Sequence, residues 1–114
     1  MKHRIYTDGS GDGRMAWYNE TTGKSWMDRK EGITSNEAEY NAVINALESA
    51  EADEIEIFSD SKLVVNQLKR EWHIKDTKMR VLFDEVQKII HDRRLKVEFT
   101  WIHREENPAG KYLG

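Results

Sequence analysis

Asp53-Glu54-Ile55-Glu56-Ile57-Phe58-Ser59-Asp60 runs without a gap into Ser61-Lys62-Leu63-Val64-Val65-Asn66-Gln67-Leu68-Lys69-Arg70. The first stretch reads as a short strand with Ile55 and Ile57 on one face, and the second as a helix over 61–70 that buries Val64, Val65 and Leu68. Upstream, Tyr40, Val43, Ile44 and Leu47 recur at steps of three and four, and Thr34 with Glu37 has the spacing of a capping box. A helix of roughly 35–50 follows. Downstream, Met79, Leu82, Phe83, Val86, Ile89 and Ile90 form an amphipathic helix, and Val97, Phe99 and Trp101 a final strand. Arg104 to Gly114 starts another helix that the chain hardly completes.

The N-terminal third has a different rhythm. Residues 3–8 alternate and end at Gly9-Ser10-Gly11-Asp12-Gly13; Met15-Ala16-Trp17-Tyr18 follows, and Thr22-Gly23 turns the chain into Lys24 to Glu31. This is a three-stranded meander. The whole order, three strands, helix, strand, two helices, strand, helix, predicts an α/β fold with one five-stranded mixed sheet and helices on both faces. Strands 1, 4 and 5 are separated by helical crossovers and so should be parallel, with strands 2 and 3 antiparallel and strands 1 and 4 adjacent. No linker or repeat divides residues 1–114, so one domain is expected.

Composition removes several classes of function. With no cysteine there is no disulfide framework, thiol nucleophile, cysteine-held zinc or iron–sulfur cluster. Apolar residues make up 38% of the 114, in short runs only, and Met1-Lys2-His3-Arg4-Ile5 opens into a strand pattern. No membrane association and a cytoplasmic location are therefore expected. A net charge of −3 is unlike a protein whose whole surface grips nucleic acid, but Lys62, Lys69, Arg70, Lys75, Lys78 and Arg80 gather apart from the acids at 48–56, which leaves room for a basic patch.

In a parallel sheet, ligand sites form beyond the carboxyl ends of strands, and the acids there are Asp8 and Asp60. Each has a plainer reading: Asp8-Gly9 as turn chemistry, Asp60 as the N-cap of the following helix. Glu39 adds weight, because it extends the stripe Val43, Ala46, Ala50 that should rest on the sheet. Glu37 projects to the opposite side as a solvated capping acid. Three converging carboxylates repel one another unless a cation neutralises them, and all-oxygen ligation suits Mg²⁺ or Mn²⁺. Chemistry on phosphates is implied.

Tyr6-Thr7-Asp8-Gly9-Ser10, Thr34-Ser35-Asn36-Glu37-Ala38-Glu39-Tyr40 with Ala46-Leu47, Ser59-Asp60-Ser61, and Trp101 through Asn107 closely resemble the successive motifs of type 1 ribonuclease H. The resemblance covers nearly the whole chain. It implies a ribonuclease H-like fold and cleavage of the RNA strand of RNA–DNA hybrids, with two Mg²⁺ ions (or Mn²⁺) held by Asp8, Glu39 and Asp60. One ion would activate water and the other stabilise the leaving 3′ oxygen, giving 5′-phosphate and 3′-hydroxyl ends. It further implies substrate contacts from Gly9, Ser10, Ser35, Asn36, Ser61 and Asn107, with His103 and Arg104 as auxiliary residues. A monomer is expected. The glycines would let backbone approach a nucleotide, although a tight hairpin needs them equally.

Two departures stand out. The resembled family has an aspartate four residues after the asparagine matching Asn107, and here that position is Lys111. One turn further along the same face is Gly114; Glu105 or Glu106 could substitute, and their spacing singles out neither. The segment Arg70 to Lys78 lacks a long basic protrusion; Trp72, Lys75 and Lys78 would supply a reduced version, or Trp72 would cap the core. Lys111 and the abrupt end also fit a nucleic-acid-binding module that keeps the fold without turnover. A nuclease of the same architecture acting on DNA is a third reading.

Overall fold

A computed structural model describes residues 1–112. Five strands, β1 (Lys2–Gly9), β2 (Arg14–Asn19), β3 (Ser25–Arg29), β4 (Glu54–Ser59) and β5 (Lys96–Trp101), and three helices, α1 (Ser35–Ser49), α2 (Lys62–Leu68) and α3 (Thr77–Asp92), succeed one another in the expected order. The sheet order is β3-β2-β1-β4-β5. β1 is antiparallel to β2 and parallel to β4, and β4 is parallel to β5, so the predicted adjacency of the first and fourth strands is present. Among the described residues no helix is long and apolar enough to cross a membrane.

Strand parity sorts the residues. His3, Ile5 and Thr7 of β1, Met15 and Trp17 of β2 and Ile55 and Ile57 of β4 turn toward the helices, where they meet Tyr40, Val43, Leu47, Val64, Leu68, Phe83 and Val86. α1 lies close on this face because Ala38, Ala42 and Ala46 repeat at every fourth position and are fully buried. Its start is closed by the capping box: the Thr34 hydroxyl accepts from Glu37 N at 3.2 Å, and the Glu37 carboxylate accepts from Thr34 N at 3.3 Å. Its end is closed by Arg93, the residue capping α3, whose guanidinium donates to Leu47 O and, at 2.7 Å, to Ala50 O.

The second face carries Arg4, Tyr6, Tyr18 and Phe58, with Tyr6 stacked on Phe58 at 4.8 Å. Its helical cover is slight. Instead of the α-helix expected from Arg104 onward, the chain makes two 3₁₀ turns, Arg104–Glu106 and Pro108–Tyr112. Pro108 lacks an N–H, the Asn107 side chain takes the Ala109 N–H at 3.1 Å, and Gly110 favours no helix, so a regular ladder does not form. What was expected of Gly114 lies outside the described residues.

Candidate active site

The three carboxylates come from three elements and meet at one edge of the sheet. Asp8 ends β1, Asp60 follows β4 directly, and Glu39 occupies the second turn of α1. They line one cavity of about 200 Å³ together with Gly9, Ser35, Asn36, Ser61 and Arg104. Asp60 is not the N-cap of α2: Ser61 is, its hydroxyl accepting from Val64 N at 3.2 Å. Asp60 is thereby left to face the crevice.

Glu39 is 2% exposed. Its Oε1 accepts hydrogen bonds from the hydroxyls of Thr7, at 3.1 Å, and Ser59. Its Oε2 is buried with no partner among the described residues. Burial, before the neighbouring charges of Asp8 and Asp60, pushes this carboxyl up to about 8. Asp8 is pushed up to about 6, again first by burial and then by Asp60, while the Gly9 N–H at 2.9 Å and the Arg104 charge pull the other way. Two acids raised first by burial and then by neighbouring carboxylates, one with an orphaned oxygen, are a site that lacks positive charge.

An oxygen-seeking divalent cation fits this donor set, since it would take up the free Glu39 oxygen and relieve the repulsion. The carboxylates converge without closing: among the described residues no three His, Asp or Glu side chains stand at the spacing of a finished metal cage.

Thr7 and Ser59 are functional residues that the reading of acids alone passes over. Each immediately precedes an acid, and a strand's two-residue period turns them toward α1 while Asp8 and Asp60 take other directions. The signal was present in Thr7-Asp8 and Ser59-Asp60.

The substrate-contact expectations divide. Ser35 and Asn36 lie at the opening turn of α1 and line the cavity. Gly9 is required for a different reason: a Cβ there would stand 2.7 Å from the Ala38 carbonyl carbon and 2.9 Å from Ala38 Cβ, so this glycine lets α1 press against the end of β1. Ser10 closes the β1–β2 hairpin, its N–H donating to Arg14 O at 2.9 Å and its hydroxyl engaging Asp12. Ser61 spends its hydroxyl on the α2 cap. Asn107 is buried, its amide donates to Thr7 O at 2.8 Å and to Asp60 Oδ2 at 3.2 Å, and it borders the wider cleft beside Asp8.

The auxiliary residues also separate. His103 opens the first 3₁₀ turn, accepts Glu106 as partner of its N–H at 3.2 Å, and lies edge-on to Trp101; it lines neither cavity beside Asp8. Arg104 lines both. Glu105 borders the wider cleft next to Asp8, whereas Glu106 is turned to His103. Trp72 does not cap the core: it is 47% exposed and borders a recess with Arg70, Arg80 and Phe83.

The sequence profile of the family described as reverse transcriptase-like matches residues 15–113. The chain belongs to this family. Within it the structure has the type 1 ribonuclease H fold. RNase H1 from the halophilic archaeon Halobacterium salinarum NRC-1 superposes with a TM-score of 0.87 at 27% identity, over 97% of this chain and 93% of that one. LC11-RNase H1, solved in complex with an RNA/DNA hybrid, superposes at 0.85 with 26% identity, over 96% and 91%. Bifunctional protein Rv2228c of Mycobacterium tuberculosis is 32% identical over 77 residues, 65% of this chain. The ribonuclease H-like chain spans only 21% of that relative's length.

Proposed function

We propose that this ribonuclease H-fold chain is an endonuclease that cuts the RNA strand of RNA–DNA hybrids, using Mg²⁺ or Mn²⁺ held by Asp8, Glu39 and Asp60. The observation that carries this reading is the buried Glu39 carboxylate, with one oxygen unpartnered and two further acids in the same cavity. The similarity to a ribonuclease H1 bound to an RNA/DNA hybrid supports the substrate class. Bound divalent ions, two by the resemblance, supply activation of the attacking water and stabilisation of the leaving 3′ oxygen, with 5′-phosphate and 3′-hydroxyl ends as products.

The chain's own groups fix where that charge is presented. Thr7 and Ser59 hold Glu39 in one rotamer, the Gly9 N–H holds Asp8, and Asp60 is steadied by Asn107 on its carboxylate and by Trp101 Nε1, which donates to its carbonyl at 3.1 Å. Ser35 and Asn36 present a hydroxyl and an amide at the N-terminal end of α1, where free backbone N–H groups also favour anions. On this reading they meet a ribose 2′-hydroxyl, the feature that separates RNA from DNA.

The test is cleavage of a labelled RNA–DNA hybrid, double-stranded RNA and double-stranded DNA over a series of Mg²⁺ and Mn²⁺ concentrations. Internal cuts in the hybrid's RNA strand, abolished by chelation, are expected. No hybrid cleavage at any ion concentration would overturn the proposal, and preferential cutting of DNA would point to the resolvase-like alternative. Lys111 favours a second reading, a binding module without turnover. Retention of hybrid with no product would distinguish it.

A further inference from the structure

The C-terminal turn is fastened at both ends and passes close beside Asp8. Asn107 donates to Thr7 O and Asp60, a Cβ on Gly110 would stand 3.1 Å from Asp8 Oδ2, and Tyr112 stacks on Tyr18 with ring centroids 6.3 Å apart. Lys111 sits between the last two contacts. Its side chain therefore leaves the backbone at a fixed place beside Asp8, on the rim of a cleft of about 530 Å³ that Gly9, Ser10, Ser35 and Arg104 also line.

Charge is segregated across Asp8. On one side stand Glu39, with its buried unpartnered oxygen, and Asp60. On the other stands exposed Lys111, with Glu105 beside it, and exposed Arg104 borders both sides. Arg104 is close enough to act on the Asp8 charge. Neither cation has an ion-pair partner among the described residues. A phosphodiester laid across Asp8 would meet carboxylates that need an ion on one flank and built-in cations on the other.

We propose that Lys111 and Arg104 form a phosphate subsite beside Asp8 that takes the place of the second ion the resemblance implies, leaving one tight ion at Asp8, Glu39 and Asp60. This deepens the nuclease reading above and rests on its substrate being a nucleic acid. The physical reason is that a fixed ammonium on that flank repels a second dication while attracting the phosphate.

Two measurements test it, neither depending on turnover. Mn²⁺ titration of the free protein followed by electron paramagnetic resonance should count one tight ion, rising to two in Lys111→Asp. Hybrid binding without divalent ions should weaken about five- to tenfold in Lys111→Ala, with the logarithmic salt slope reduced by about one, and Lys111→Arg should restore both. Two tight ions on the unaltered chain, or unchanged affinity and slope in Lys111→Ala, would overturn the proposal. One ion and Lys111-dependent binding without any hybrid cleavage would uphold the subsite and sink the nuclease activity instead.

Discussion

The carboxylate corner and the C-terminal turn lie against each other yet are built in opposite ways. The corner is assembled from strand ends and a helix turn, with Glu39 sealed inside by Thr7 and Ser59. The turn is a short 3₁₀ segment held by side-chain contacts, Asn107 from within and Tyr112 from outside. The corner concentrates negative charge where two strand ends meet a buried helix turn. The turn delivers positive charge on its exposed residues. A binding site for a phosphate and a cation together needs both, and here they come from parts of the chain with very different structural security.

The largest effect that separates the two regions should come from Glu39→Gln. It removes a proposed ion ligand, so hybrid cleavage should fall by about three orders of magnitude, on the basis that several kcal/mol of charge stabilisation is lost. Stability should move the other way. Because the Glu39 carboxyl is raised from 4.5 to about 8, the folded ion-free protein holds a proton that the unfolded chain has released. Its stability should then decline as pH rises from about 4.5 to about 8, with Asp8 contributing between its ordinary value and about 6. Glu39→Gln should flatten much of that decline, gaining a few kcal/mol at pH 8 in urea denaturation with chelator present. An unchanged pH profile would mean Glu39 is not the buried acid described here.

Gly9→Ala probes the packing that brings α1 to β1. The added methyl would meet the Ala38 backbone, and a loss of about 1–3 kcal/mol in denaturant midpoint is expected, together with lower cleavage as Glu39 shifts from Asp8. Asn107→Ala probes the turn. It leaves Thr7 O without its donor, which costs about 1–2 kcal/mol, and frees the segment that carries Lys111. Weaker hybrid binding with the pH profile of stability retained would show that the tail serves substrate and the corner serves charge.

Much of this was legible in the sequence, for reasons that differ by residue. α1 and α3 are long and periodic, and the capping box at Thr34 marks a start that no neighbour alters. Asp8 and Asp60 follow from the parallel pairing of β1 with β4, and Glu39 over Glu37 from the helical period. Gly9 was harder, since a glycine needed for a turn, a ligand or a passing helix looks the same in sequence. Ser61 and Asn107 carry motif positions, yet capping and inward hydrogen bonds consume their polar groups, which only tertiary contacts reveal. The end of the chain departed furthest. The nine residues 104–112, with a proline and a glycine among them, hold too little helix-forming tendency to resist the side-chain bonds of Asn107.

The most direct test of the account is cleavage of a labelled RNA–DNA hybrid by the unaltered chain and by Asp8→Asn in parallel, with Mg²⁺ and with Mn²⁺. The account predicts internal cuts in the RNA strand by the former and their loss in the latter, with the circular dichroism spectrum and hybrid binding preserved. Equal cleavage by both, or none by the unaltered chain under either ion, would contradict it.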